Sequence, residues 1–322
     1  MKKSILLAIN LLLLILVVMI IVFAFKDKAN NDIKFSNSSD GRIKIITTLF
    51  PEYDFVRQVV ADKADVELIL KSGVETHNFE PTAIDILKIN SSDLFFSLGE
   101  ELEPWTKEIA NSIENKDKIV DMSANVNIME KDALDKNHEK HSHDHEESLD
   151  SHIWLSITNA KIMIDTVVEN VSKIDPENAE FYKTNAENYK KEIDKIDAEF
   201  KEIFKDKNIT LAFGGEFAYA YFVNEYDVDF ISVYTNCGHG EDPSILKVKS
   251  VIDEINNKKI PVVFYNELSE GLVAKMISEE TEADALVLYT IHNGNILGDK
   301  LDTYVSLMNK NLENIKKAIK TN

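Results

Sequence analysis

A single cysteine, Cys237, occurs in 322 residues, so no internal disulfide and no cysteine-rich zinc or iron–sulfur site can form. A metal, if bound, must be held by imidazole and carboxylate. Basic residues are also scarce: 36 lysines and arginines stand against 56 aspartates and glutamates, a formal charge of −20. That balance repels phosphate backbones and argues against a nucleic-acid partner. It disfavours docking on anionic lipid through a basic face, and it suits the gathering of cations. Catalytic signatures are missing too. There is no His-Glu-x-x-His element, no Gly-x-Ser-x-Gly turn and no phosphate-binding glycine loop, and no repeat array.

Apolar types make up 44% and charged types 29%, the mixture of a folded body rather than a disordered chain. At roughly 150 residues per domain the length predicts two lobes. One long apolar run stands apart, Ile5–Phe25. Twenty-one helical residues reach roughly 30 Å, the thickness of a hydrocarbon core. Val22-Phe23-Ala24 matches a small-x-small cleavage site poorly, and no cysteine is placed to carry a lipid. Lysines flank the run on both sides, Lys2 and Lys3 before, Lys26 and Lys28 after, so charge asymmetry is divided. Residues 1–25 are therefore expected to be an uncleaved membrane anchor, with a removed signal segment as the other reading. Residues 26–42, polar and rich in Asn and Ser, follow as a tether.

Beyond the tether, short apolar runs alternate with helical patterns. Strands are predicted at Lys44–Thr48, Val66–Leu70, Leu94–Leu98 and Lys118–Asp121, then at Thr210–Phe213, Phe230–Val233, Val262–Tyr265 and Ala285–Tyr289. Two such blocks predict two α/β lobes, each a mostly parallel sheet flanked by helices, over 43–175 and 206–322. Between them, Tyr189, Ile193, Ile196, Phe200 and Ile203 form one apolar stripe at helical spacing. Residues 176–205 are thus predicted to be a long rigid linker helix, with Asp175 as its cap and Pro176 in its first turn. Residues 133–149 differ in kind: His138, His141, His143 and His145 lie among charged residues. This reads as a solvated acidic loop, either without evident purpose or as a weak collector of borderline cations.

Four histidines remain: His77, His152, His239 and His292. Several follow predicted strands, where ligands converge in α/β folds. Each alone has an ordinary explanation as a surface or hydrogen-bonded residue, and spacing does not show that they meet.

Several stretches, in order, resemble bacterial solute-binding protein family 9, the zinc- and manganese-capturing components of ABC importers, often described as adhesin lipoproteins. They are Ile46-Thr47-Thr48-Leu49-Phe50-Pro51, Thr76-His77-Asn78-Phe79-Glu80-Pro81-Thr82, Leu98-Gly99-Glu100-Glu101-Leu102-Glu103-Pro104-Trp105 and Asp150-Ser151-His152-Ile153-Trp154-Leu155. Asn178–Tyr182 and Asp302–Met308 extend the likeness toward the C-terminus. The resemblance implies a metal buried in the cleft between the lobes. It implies His77 and His152 as the first two ligands, and Glu216, just before Ala218-Tyr219-Ala220-Tyr221-Phe222, as the third. The family's fourth position is usually aspartate, but here Leu288-Tyr289-Thr290-Ile291-His292-Asn293 has none in register, so His292 is assigned.

Three imidazoles and one carboxylate suit Zn2+, with Mn2+ (or iron) as the alternative that Glu216 favours. Binding should weaken as the histidines protonate below about pH 6. Glu80 or Asp150 could orient the rings, or serve simply as a cap or a surface charge. Cys237 and His239 are read as part of a glycine-containing turn rather than as ligands. The implied function is that of a monomeric, extracytoplasmic, membrane-tethered metal receptor, without catalysis, delivering its ion to a cognate ABC permease. A metallohydrolase and a cell-surface adhesion protein are the competing readings.

Overall fold

Among the described residues, eight short parallel strands rich in branched and aromatic residues set the architecture: β1 Ile43–Thr47, β2 Ala64–Leu68, β3 Leu94–Ser97, β4 Ile119–Asp121, β5 Thr210–Phe213, β6 Asp229–Ser232, β7 Val262–Tyr265 and β8 Asp284–Val287. Each lies within two residues of its predicted position. The computed structural model describes residues 41–70, 79–113, 115–130, 133–134, 149–205, 208–234, 243–298 and 300–319. The predicted anchor, nearly all of the tether, His77, the four loop histidines, Cys237 and His239 lie outside the described residues.

The strands form two four-stranded sheets, ordered β2-β1-β3-β4 and β6-β5-β7-β8. All pairs are parallel, with Ile45 opposite Val66 and Leu94 in the first sheet and Ala212 opposite Ile231 and Val263 in the second. Helices cover both faces, which is why Leu94–Ser97 is buried throughout rather than alternating. The fold is the expected α/β pair of lobes.

Ten helices accompany the strands among the described residues: α1 Phe50–Val60, α2 Ala83–Ser91, α3 Gly99–Leu102, α4 Thr106–Ser112, α5 Ile157–Ile174, α6 Ala179–Phe204, α7 Ala220–Glu225, α8 Ile245–Lys258, α9 Leu272–Glu280 and α10 Tyr304–Ile319. Local chemistry fixes several starts. Thr82 and Asp85 form a reciprocal capping box at α2, and Ser156 and Ser244 accept from the third residue of α5 and α8. Glu225, at the end of α7 in the second lobe, takes the N–H groups of Ile157 (2.7 Å) and Thr158 (3.0 Å). A carboxylate thus satisfies the orphan donors and positive end of a helix in the first lobe.

The long helix α6 has 26 residues, about 39 Å of rise. It begins after a 3-10 turn at Pro176–Asn178, and Asp175 does not cap it through its side chain. The Asp175 carboxylate instead accepts from Asn178 Nδ2 and Tyr182 Oη. The predicted stripe is buried at Tyr189, Ile193, Ile196 and Phe200 and half-buried at Ile203.

One apolar core runs through both lobes. It joins Phe55, Phe96 and Trp154 of the first lobe to Ile193 and Phe200 of α6 and to Phe264, Leu288 and Leu312 of the second. Smaller clusters fill the outer layers: Ile46, Ile89 and Phe95 in one, Val251, Val263 and Ile277 in the other. Polar stitches reinforce the shared core. The fully buried carboxylate of Asp54 accepts from Tyr189 Oη on α6 and from the backbone N of Tyr304, the first residue of α10 (2.8 Å). Arg57, paired with Asp54, also donates to the Asp302 carbonyl. Opening the lobes would expose packed apolar surface and strand these partners.

Candidate metal centre

In parallel α/β sheets, ligands gather beyond the strand carboxyl ends where strand order reverses. Here those ends carry Thr48 and Leu98 in the first lobe. In the second they carry Gly214-Gly215-Glu216, Asn266-Glu267 and Leu288–His292.

His152 sits just before a 3-10 turn, Ile153–Leu155, and is 2% exposed. Its Nδ1 lies 2.5 Å from Asp150 Oδ1, which also accepts the His152 backbone N at 2.9 Å. An ionised carboxylate only accepts, so Nδ1 carries the hydrogen and Nε2 keeps its lone pair. Asp150 is itself pinned: its N donates to the Met129 carbonyl, and its carbonyl accepts from Tyr221 Oη at 2.9 Å. Tyr221 belongs to the aromatic motif of the second lobe, so that motif reaches across to hold the first. Asp150 orients the His152 ring; Glu80 is exposed, and His77, which it stands near in the chain, lies outside the described residues.

His292 follows β8 and is also 2% exposed. Its Nδ1 lies 2.7 Å from Thr290 Oγ1. Between them Ile291, fully buried, has φ +64°, a left-handed conformation that branched side chains rarely adopt. The turn is held from beneath by Glu267, whose carboxylate receives Thr290 N (2.7 Å), Thr290 Oγ1 (2.9 Å) and Ile291 N (3.1 Å). Burial holds the Glu267 carboxyl above its usual range, and these hydrogen bonds offset only part of that rise.

The two imidazoles meet. Their ring centroids are 4.8 Å apart at 88°, and the buried Trp154 ring lies 5.7 Å from His152 and 5.1 Å from His292. Trp154 also locks the lobes: its Nε1 donates to the Thr290 carbonyl (2.8 Å), while its own carbonyl accepts from Tyr304 Oη (2.8 Å). Glu216 is half-buried on the loop after β5. Among the described residues no group of three or more His, Cys, Asp and Glu is arranged to hold an ion; His77 lies outside them. Trp154 stood in a motif that resembled the family, yet nothing in the sequence marked it as a bridge. Thr290 and Glu267 carried no signal beyond following strands.

A second polar cluster occupies the reversal point of the first sheet. Thr48 Oγ1 lies 2.6 Å from Glu52 Oε2 and 2.9 Å from Glu103 Oε2, and both acids are buried. A hydroxyl has one hydrogen to give, so one carboxyl accepts it and the other must be protonated to donate back. Burial, with the neighbouring charge, raises Glu52 well above the usual carboxylate range, and burial pushes Glu103 up to about 7.

Comparison with known proteins places this chain in a family context. The family profile described as zinc-uptake complex component A, periplasmic, matches residues 45–318. The chain is 27% identical over 291 residues to the zinc-binding protein AdcA of Streptococcus pyogenes serotype M3, covering 86% of this chain and 56% of that protein. It thus spans about half the length of that relative. It is 27% identical over 300 residues to the high-affinity zinc uptake system protein ZnuA of Bacillus subtilis, covering 90% and 92% of the two chains. A crystal structure of the metal-dependent lipoprotein YcdH of Bacillus subtilis superposes with a TM-score of 0.71 at 25% identity, over 86% of this chain and 99% of that one. The chain belongs to the zinc-uptake complex component A (ZnuA) family.

Proposed function

We propose that this chain is an extracytoplasmic receptor that captures a divalent metal ion, Zn2+ before Mn2+, and passes it to an ABC permease. The observation that carries this reading is the pairing of His152 and His292. They come from opposite lobes, are buried, lie edge to face at 4.8 Å, and are each anchored through Nδ1. Anchoring one ring nitrogen leaves the other to coordinate, as is usual for metal-binding histidine. Two nitrogen donors suit zinc better than manganese, and zinc is also named in the family description and in both relatives' names. His77 and Glu216 are proposed to complete the coordination, closing the sphere to water as a carrier requires and a hydrolase does not. The ion is cargo, and no bond is made or broken in it.

The net charge of −20 raises the local concentration of cations. An extracytoplasmic location is supported by the periplasmic family description, and a membrane anchor over residues 1–25 followed by a tether over 26–42 remains part of the proposal. Elemental analysis of protein purified without added metal, with calorimetric titration by zinc and manganese, tests the reading. One zinc per chain is expected, and its tight binding should be lost in His152→Ala and His292→Ala variants that keep their fold. Retention of tight zinc by both variants would overturn it.

A further inference from the structure

His292 departs from the aspartate expected at its position, and an imidazole there raises a problem that a carboxylate does not. Neutral imidazole has two tautomers, and only the one with its hydrogen on Nδ1 leaves Nε2 able to coordinate. For His152 an adjacent carboxylate settles the matter. For His292 the neighbour is a hydroxyl, which can either give or take a hydrogen bond.

We propose that Glu267 is a positioning residue that acts through Thr290 to fix the tautomer of His292, so that the metal site receives Nε2 as a lone pair. Three donors converge on the Glu267 carboxylate: Thr290 N on Oε2, and Thr290 Oγ1 and Ile291 N on Oε1. The two backbone N–H groups can only donate, and an ionised Glu267 has no hydrogen to give in return, so the hydroxyl must donate to Oε1. The Thr290 hydroxyl spends its only hydrogen on Oε1, and toward His292 Nδ1, 2.7 Å away, it presents only lone pairs. Nδ1 must then carry the hydrogen. The left-handed Ile291 supplies an independent reason to read the arrangement as built for a purpose. A buried branched residue at φ +64° is strained, and such strain persists where surrounding contacts over-determine it. Glu267 is one of those contacts, because it takes the Ile291 N–H. One side chain thus holds the backbone turn that aims His292 and sets the direction of the hydrogen bond that selects its tautomer. The inference rests on the metal-capture reading of His292.

Glu267→Gln tests the direction of the relay. A glutamine amide carries hydrogens on one side and cannot accept at both oxygen positions. With its nitrogen facing Thr290 it donates to Oγ1, and the hydroxyl hydrogen turns toward His292 Nδ1. With its nitrogen on the other side it meets the Thr290 N–H head-on. Thr290→Val cuts the relay without touching the acid, and Thr290→Ser restores the hydroxyl. In metal-free protein labelled with 15N-histidine, two-bond proton–nitrogen spectra are expected to show His292 with hydrogen on Nδ1 in the parent and the serine variant. Both Glu267→Gln and Thr290→Val should move population to the Nε2–H form. Zinc affinity, read by competition with a chromophoric chelator, is expected to fall roughly 10–100-fold in those two variants, the range for loss of a ligand's outer partner, and to be recovered in Thr290→Ser. An unchanged Nδ1–H tautomer in both Glu267→Gln and Thr290→Val would overturn the relay. Should His292→Ala keep parental zinc affinity while the tautomer responds as stated, the metal assignment of His292 fails and the relay stands.

Discussion

His152 and His292 meet edge to face with ring centroids 4.8 Å apart, although one follows the His-rich segment of the first lobe and the other follows the last strand of the second. The contact is held rather than incidental. Asp150 fixes one ring, Thr290 the other, and Trp154 packs against both while donating to the Thr290 carbonyl. An ion bound between them would bridge the two lobes through groups already in place, so little ordering entropy opposes binding.

Asp150→Asn should weaken zinc binding without unfolding the protein. The amide keeps the shape of the side chain but loses the charge that stabilises Nδ1–H and makes the ring a better donor to metal. A fall of about 10–100-fold in affinity is expected, measured by chelator competition alongside a thermal melt. Unaltered affinity would show that the 2.5 Å contact is only structural.

Trp154→Phe keeps a ring in the core but removes the Nε1 donor, leaving the buried Thr290 carbonyl unsatisfied. The expected loss is about 1–3 kcal/mol, read from urea unfolding of the metal-free protein. Since the bond joins the lobes, zinc affinity should fall as well. A variant as stable as the parent would mean that the stitch contributes nothing.

Stability should decline as pH rises toward and through neutrality because of Glu52 and Glu103. A carboxyl whose folded pKa lies above its unfolded value binds its proton more tightly when folded. For Glu103 that contribution is complete below about 4.5 and is lost as pH passes about 7. Glu52 shifts in the same direction through burial and the charge of Glu103. Urea unfolding of metal-free protein across this window should show a shallower decline in Glu103→Gln than in the parent. Identical slopes in the two proteins would refute the shared-proton arrangement at Thr48.

Gly294 marks a close approach between the lobes. A Cβ there would lie 2.2 Å from the buried Phe50 ring of α1, so the ring would have to shift within the packed core. Gly294→Ala is expected to cost about 1–3 kcal/mol through overpacking. It should also lower zinc affinity, because the residue stands two positions after His292. A melt and an affinity matching the parent's would contradict that packing.

Much of the fold was legible because its signals are local. Val262–Tyr265 and Leu94–Ser97 are strands whose apolar runs are short and bounded, and the Tyr189–Phe200 stripe has a period only a helix satisfies. The candidate site was less legible. Asp150 could be suspected from standing two residues from His152. Glu267 and Trp154 could not be connected to His292, because contacts between strand ends leave no periodic trace in the chain.

The sequence by itself determined the alternation of strands and helices, the long connecting helix, the exclusion of a cysteine-rich metal site and the family resemblance. Each of these follows from residue type and spacing along a few consecutive turns. Only the tertiary structure decided that the two lobes share one continuous core, that His152 faces His292, and that Glu267 stands behind Thr290. Those facts depend on packing between segments far apart in the chain, where side-chain volume and hydrogen-bond satisfaction, not local propensity, choose the neighbours.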